Sequence, residues 1–447
     1  MRCWIVAALI AFTGGLLRAQ ESHVVIVSIE GFAAARLEDS ELELPNLRGI
    51  TRSGAWAQGM ETVYPATDHP AHVSLMTGVP PRQHGVLGNR LLNRLTGEYF
   101  HVTNMPRSES IRVPTLFDAA KAKGLRTASF FWPGTRNDPA IDHAIPLVLT
   151  GEGKADIAGA STRFLDELRE NGVPIDLFYQ WYDDLALQQT ADRVLTRAAI
   201  YVLTTYRPHL LLLRLPAPDR YQHQYGPQHY LSKAALTASD YNVGLVRRAI
   251  EDSGLANQTT LFVVSDHGFH TAEYSVNIYP VFEQAGLADK VRLHGGYWSV
   301  VVELTNRFDE TKDAQALDDA LSRAARLDGV SVVVRPEDFH ALGIPRYEED
   351  PHILGQYLII GGIDTRLVVD EQDPSSRRAR LPTPYYGHGY LPSDERMYAV
   401  FLATGRRVRT GVRVGRVQNY DLAPTVCELL GLDMPGLPGR VLTEILR

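Results

Sequence analysis

The feature that most constrains this chain is a series of short apolar runs that do not alternate with polar residues. They are VVIVSI (24–29), TASFFW (127–132), HLLLLRL (209–215), LFVVS (261–265) and MYAVFLA (397–403). A strand with one wet face alternates, whereas an unbroken run is buried on both faces, the pattern of parallel strands held between helices. Helix-period segments separate the runs: DLALQQTADRVLTRAAIYVLTT (184–205), a second at 232–253, and PTLFDAAKAKG (114–124), stopped by Gly124. This alternation predicts an α/β chain with a doubly wound, mostly parallel sheet flanked by helices. Residues 285–386 break the rhythm. GYWSVVVEL, a helix from about 312 to 327 and GVSVVVRP predict a small α+β insert capping the sheet. Within it, IDTRLVVDEQDPSSRRAR predicts an exposed hairpin or loop.

The start of the chain, MRCWIVAALIAFTGGLLRAQ, has a basic residue, an apolar run and a small-residue end. That is signal-peptide anatomy, too short for a comfortable span, so residues 1–20 are expected to be removed and 21–447 exported to the periplasm or secreted. Cys3 would leave with it, and Cys427 in APTVCELLGL is then a lone packing residue with no disulfide partner. No later stretch predicts a membrane span. A net charge of −7, from 45 basic and 52 acidic residues, argues against a binder of nucleic-acid polymers.

Ligands of open α/β sheets bind outside the carboxyl ends of the strands. The first run ends in Glu30-Gly31; LLLLRLPAPD ends in Asp219, with His223 four residues on; LFVVSDHG ends in Asp266-His267-Gly268; and YYGHGY places His388 just before MYAVFLA. Each piece alone has a plainer reading: an Asp-x-x-x-His pair is usually a solvated helix face, and a lone histidine a satisfied turn residue. Four such pieces delivered to one edge argue for a metal centre, and imidazole with carboxylate suits zinc.

The longest string of motifs is ETVYPATDHPAHVSLMTGVPPRQHGVLGN (61–89). Together with VVIVSIEGF, SFFWPGT, PDRYQHQYGP, VSDHGF, GHGY and NYDLAPTVCELLGL, it resembles the nucleotide pyrophosphatase/phosphodiesterase family of the alkaline phosphatase superfamily, over nearly all of the mature chain. The resemblance implies an exported hydrolase of phosphodiester or pyrophosphate bonds with two divalent metal ions, zinc by preference, and a small nucleotide-like phosphorylated substrate. It implies one ion on Asp219, His223 and His388, and the other on the strand-one acid Glu30, the nucleophile position, Asp266 and His267. Asn89 falls where the family holds a phosphate oxygen against the metals.

Several positions depart from that pattern. The strand-one ligand is normally Asp and here is Glu30. The nucleophile is normally threonine in T-x-P-x-H; aligning Pro70 and His72 puts Asp68 there, with Thr67 one residue early. His69 replaces a residue that is often aromatic, and Gln222 replaces a glycine. Glu30, Asp68, Asp219 and Asp266 together still carry the negative charge that two divalent ions balance. Three mechanisms are open: Asp68 binds metal and water activated there attacks phosphorus; Asp68 itself attacks; or Thr67 shifts into the nucleophile position. Other functions are a catalytically silent phosphate- or metal-binding member, or a phosphomonoesterase or phosphonate hydrolase. A formylglycine sulfatase is disfavoured, because the loop lacks the C/S-x-P-x-R context. His72 and His84 read as hydrogen-bonded scaffold, Trp132 as packing, and Arg377-Arg378-Ala379-Arg380 as a solvated loop.

Overall fold

The computed structural model describes residues 22–149, 154–156, 159–362 and 364–447. The signal-peptide reading of residues 1–20, and Cys3 with it, lies outside the described residues. The main sheet has eight strands: β1 (His23–Ile29), β2 (Ala55–Glu61), β3 (Thr127–Phe130), β4 (His143–Ile145), β5 (Leu210–Leu215), β6 (Thr259–Val264), β7 (Phe401–Gly405) and β8 (Val412–Gln418). Their order is β8-β2-β7-β6-β1-β5-β3-β4. All neighbouring pairs are parallel except β7, which runs antiparallel to both β6 and β2. The apolar run MYAVFLA thus forms a strand that starts only at Phe401, and its run of buried residues reflects cover on both faces rather than parallel pairing.

The helices that position the site or cover the sheet are α1 (Asp68–Thr77), α2 (Leu116–Ala122), α3 (Gln188–Tyr206), α4 (Ala217–Tyr225), α5 (Tyr230–Asp252), α6 (Glu310–Ala324) and α7 (Leu422–Leu430). Successive strand residues point to opposite faces. Val25, Val27, Leu211 and Leu213 join one core with Leu195 and Ala199 of α3 and Val243 and Val246 of α5. Val24, Ile26, Leu210 and Leu212 join a second core with Val73 of α1, Phe117 of α2 and Val426 of α7. Two helical layers therefore explain the unbroken apolar runs. Cys427 is buried in the second core and unpaired.

The smaller region has a four-stranded antiparallel sheet, ordered Val291–Gly296, Ser299–Leu304, Tyr357–Gly361, Val330–Val334. Its core takes in Leu317 and Leu321 of α6. A three-stranded sheet of Thr365–Val368, His270–Asn277 and Ala379–Gly387 adjoins it. The segment read as an exposed hairpin or loop is thus only partly one. TRLV is a strand parallel to His270–Asn277, with Leu367 fully buried, and only the loop after it is polar and exposed. The alternation of Thr365 and Leu367 inward is a short strand signal masked by the charges around it. The other face of the four-stranded sheet packs Ile360, Leu358 and Phe339 against Tyr64, four residues from Asp68. That contact brings the small region over the carboxyl edge of the main sheet. Among the described residues no helix is long and apolar enough to cross a membrane.

Candidate metal centre

Three main-sheet strand ends and one helix start converge at that edge. Glu30 follows β1 directly, Asp219 lies in the first turn of α4 after β5, Asp266 and His267 follow β6, and Asp68 opens α1. His388 comes from elsewhere than expected. It follows the strand Ala379–Gly387 of the small region, not the edge of β7. Two glycines make these turns feasible. Gly31 has φ +69°, and a Cβ there would stand 3.0 Å from Gln222 Nε2 and 3.1 Å from Asp219 Oδ1. At Gly268 a Cβ would come within 1.8 Å of the Arg396 carbonyl oxygen, so no side chain fits after Asp266-His267.

Asp219, His223 and His388 make the first group. The helical repeat puts Asp219 and His223 on one face of α4. His223 Nε2 is 3.5 Å from Asp219 Oδ2, His388 Nε2 is 3.6 Å from Asp219 Oδ1, and the two Nε2 atoms are 3.1 Å apart. Each ring has its Nδ1 2.9 Å from a backbone carbonyl, Tyr386 for His223 and Ala66 for His388. A carbonyl only accepts, so Nδ1 carries the proton in each neutral ring and two Nε2 lone pairs face each other. Asp219 Oδ1 is buried without a hydrogen-bond partner among the described residues. Bonds of 2.0–2.2 Å to a tetrahedral ion set donors roughly 3.3–3.6 Å apart. The group therefore fits a divalent cation in distance, tautomer and unmet acceptors. Burial lifts the Asp219 carboxyl to about 6, and burial followed by His267 and His223 lowers His388 to about 3. Both shifts favour the neutral form, as burial does for a carboxyl and an imidazole alike.

Glu30, Asp68, Asp266 and His267 make the second group, wholly contiguous with the first. His267 Nε2 is 3.1 Å from Asp266 Oδ2 and 3.4 Å from Asp68 Oδ1, its Nδ1 2.8 Å from the Gly268 carbonyl. Asp68 Oδ1 is 3.8 Å from His388 Nε2, so this carboxylate lies between the two groups. Glu30, Asp68 and Asp266 each present an oxygen within 4.8 Å of the others, and Glu30 Oε2 and Asp266 Oδ2 have no hydrogen-bond partner among the described residues. This set also fits a cation. Burial works against charge on His267, yet Asp266 and Asp68 outweigh it and lift its pKa well above the usual range. Burial likewise opposes ionisation of Asp68, but His267, His388 and Arg214 hold its carboxyl well below the usual range.

Arg214, the fifth residue of β5, was not singled out from the sequence. Its Nη2 donates to Glu30 Oε1 at 2.5 Å and lies 3.5 Å from Asp68 Oδ2, with both Arg214 and Glu30 side chains 3 % exposed. Parallel pairing of Ser28 with Arg214 explains the meeting, since it sets Arg214 beside the end of β1. Burial works against the guanidinium charge, but Glu30 and Asp68 keep it protonated; burial drives Glu30 upward against the pull of Arg214. The sequence-based count of four negative charges becomes a net three. Two unit charges about 4 Å apart interact by about 4 kcal/mol at an effective dielectric near 20. An ion on Glu30 and Asp68 therefore shares them with a permanent cation. The signal available in the sequence was a charge inside a run buried on both faces, which demands a counter-charge at a neighbouring strand end.

Beside the centre lies a cavity of about 760 Å³, lined by Thr67, Asp68, His69, Asn89 and Arg214 and, from the small region, by Trp298 among others. Asn89 Oδ1 accepts from the His69 backbone N–H at 3.0 Å, which fixes the amide. Thr67 is the residue before α1, and its Oγ1 is buried without a partner among the described residues. His72 and His84 are scaffold as expected: His72 Nε2 lies 2.9 Å from Ser28 Oγ and its Nδ1 2.8 Å from the Asp68 carbonyl, while His84 Nε2 lies 2.9 Å from Ser74 Oγ. Trp132 packs edge-on to His72. Gln222 Nε2 donates to the Gly31 carbonyl at 2.9 Å. Arg378 pairs with Asp364 and Arg380 with Glu273, so the basic run is anchored at two residues rather than wholly solvated.

Comparison with known proteins follows the same lines. The model of the family described as type I phosphodiesterase / nucleotide pyrophosphatase matches residues 24–390. Ectonucleotide pyrophosphatase/phosphodiesterase family member 1 of Rattus norvegicus is 24 % identical over 431 residues, covering 91 % of this chain and 40 % of that protein. Venom phosphodiesterase 2 of Crotalus adamanteus is 24 % identical, covering 92 % of this chain and 46 % of its own length. This chain thus spans less than half of these two relatives. Family member 7 of Rattus norvegicus, 23 % identical, is covered over 90 % of its length, with 97 % of this chain. Among solved structures, inactive murine ectonucleotide pyrophosphatase/phosphodiesterase 5 in complex with AMP superposes with a TM-score of 0.70 at 18 % identity, covering 96 % of this chain and all of that one.

Proposed function

The chain belongs to the type I phosphodiesterase / nucleotide pyrophosphatase family, and from that premise we propose that it is an exported, metal-dependent hydrolase of phosphodiester or pyrophosphate bonds. The observation that carries this reading is the pair of facing Nε2 atoms of His223 and His388, each ring's Nδ1 turned to a backbone carbonyl, beside an Asp219 oxygen without a hydrogen-bond partner among the described residues. Asp219, His223 and His388 would hold one divalent ion, zinc by donor type, and Glu30, Asp68, Asp266 and His267 a second. When bound, the ions supply Lewis acidity to a phosphoryl oxygen and lower the pKa of water.

The chain's own residues divide the remaining work. Asn89, its Oδ1 already held by the His69 backbone, keeps its NH₂ free to donate to a phosphoryl oxygen. Asp68 has one oxygen toward His267 and His388 and the other toward Arg214. A carboxylate so engaged on both oxygens acts as a shared ligand, and water rather than Asp68 or Thr67 provides the attacking oxygen while the bond to the leaving group breaks. The cavity is large enough for a mononucleotide, since small-molecule sites run to about 300–1,000 Å³. A nucleotide-like ester is accordingly the substrate class, and the AMP bound by the murine neighbour supports it. Export is supported by the leader pattern at residues 1–20 and by the secreted or ecto character of the relatives' names.

The test is hydrolysis of a chromogenic phosphodiester by purified protein. Turnover that is abolished by chelation and restored by zinc is the expected result. Stoichiometric metal without turnover of diesters, monoesters or phosphonates would replace this reading with that of a silent metal-binding member.

A further inference from the structure

Arg214 is an unfinished ion pair. Its side chain is 3 % exposed, and Nη2 alone is engaged, by Glu30 and at longer range by Asp68. Nε and Nη1 have no hydrogen-bond partner among the described residues. A buried guanidinium with donors unmet is costly unless something fills them. The same residue lines the cavity that Asn89, Thr67 and Asp68 line. Thr67 Oγ1 is also unmet, and the Asn89 Oδ1 is consumed by the backbone, which leaves its NH₂. That lining is therefore rich in donors, and the group that completes it is rich in acceptors and negatively charged. Guanidinium geometry suits phosphoryl oxygens, and its charge persists at any working pH. Arg214 offsets one of the four carboxylate charges of the centre and so lowers the repulsion that an approaching phosphoryl group meets.

We propose that Arg214 is a substrate-contacting residue, donating from the part of its guanidinium that lines the cavity to a non-bridging phosphoryl oxygen beside Asn89 while it stays paired with Glu30. This rests on the reading of the cavity as a phosphoester site and adds to it a protein-borne cation in contact with the substrate.

The experiment is calorimetric titration of inorganic phosphate into the metal-loaded full chain, with metal content and thermal midpoint measured on every sample. Arg214→Lys keeps a positive charge for Glu30 but lacks the extra donors. It is expected to weaken phosphate binding about tenfold, the value of one charge-assisted hydrogen bond, with metal content unchanged. The double variant Glu30→Gln/Arg214→Gln removes both charges of the buried pair, so no stranded ion decides its folding; because Glu30 is also assigned to the second ion, it is compared only at metal content equal to the wild type, and there it is expected to bind phosphate at least as weakly. Wild-type affinity in either variant would overturn the role of Arg214 even with ester hydrolysis intact in the wild type. A wild type that binds no phosphate and hydrolyses no ester would overturn the functional reading together with it.

Discussion

The two halves of the centre use similar donors in different electrostatic settings. Asp219, His223 and His388 stand at the outer side, where the His223 side chain is 38 % exposed and, among the described residues, no lysine or arginine is paired with the group. Glu30, Asp68, Asp266 and His267 are more deeply enclosed and share their charge with Arg214. Donor type gives the outer group one carboxylate and the inner group three, and Arg214 offsets part of that excess. Their difference teaches that what a ligand set does depends on the fixed charges behind it as much as on the ligands.

The largest effect that would test this contrast comes from the outer half. Asp219→Ala removes the only carboxylate of its group, and hydrolysis is expected to fall on the order of a thousandfold, with loss of one ion by elemental analysis. Undiminished metal content would place the tight site in the inner half and reverse the comparison.

The next effect belongs to the inner half and to stability. Arg214→Met strands Glu30 in a buried site, which costs about 3–5 kcal/mol in urea unfolding of the metal-free protein. The double variant Glu30→Gln/Arg214→Gln is expected to recover part of that loss. An Arg214→Met chain as stable as the wild type would show that Glu30 is protonated and the ion pair is not formed.

The smallest effect is graded with pH and lies beneath the inner half. Burial lowers His72 to about 4 and His84 to about 3. Both are neutral when folded but take up protons when unfolded near pH 6.5. The unfolded chain therefore binds more protons below that pH, so stability is fully present above about 6.5 and is lost as pH falls toward 4. The slope reaches about 1.4 kcal/mol per pH unit for each histidine. Urea midpoints of His84→Gln at pH 7.5 and 5.5 check it: the variant is expected to be the less pH-sensitive chain.

Much of the architecture was readable because burial on both faces forces unbroken apolar runs, as in β1 and β5. The strand β2, reading AWAQGME, was missed; it carries Gln58 and Glu61 and has too little apolar content to stand out. The antiparallel direction of β7 was missed for another reason. A run of buried residues reports cover, not chain direction. Within the centre, the residues that head strand ends or follow a helical i,i+4 spacing were visible. His388 was visible as a residue, but its arrival from the small region was not.

Residue types and order, by themselves, determined the layered α/β sheet, the family and the supply of carboxylates and imidazoles to one edge, because periodicity and local spacing encode which faces are buried. Tertiary structure alone decided that Arg214, 184 positions from Glu30, closes on it and fills the inner half with a fixed charge. Electrostatic pairing acts through space and through the low dielectric of the interior, and neither is written in any local stretch of chain.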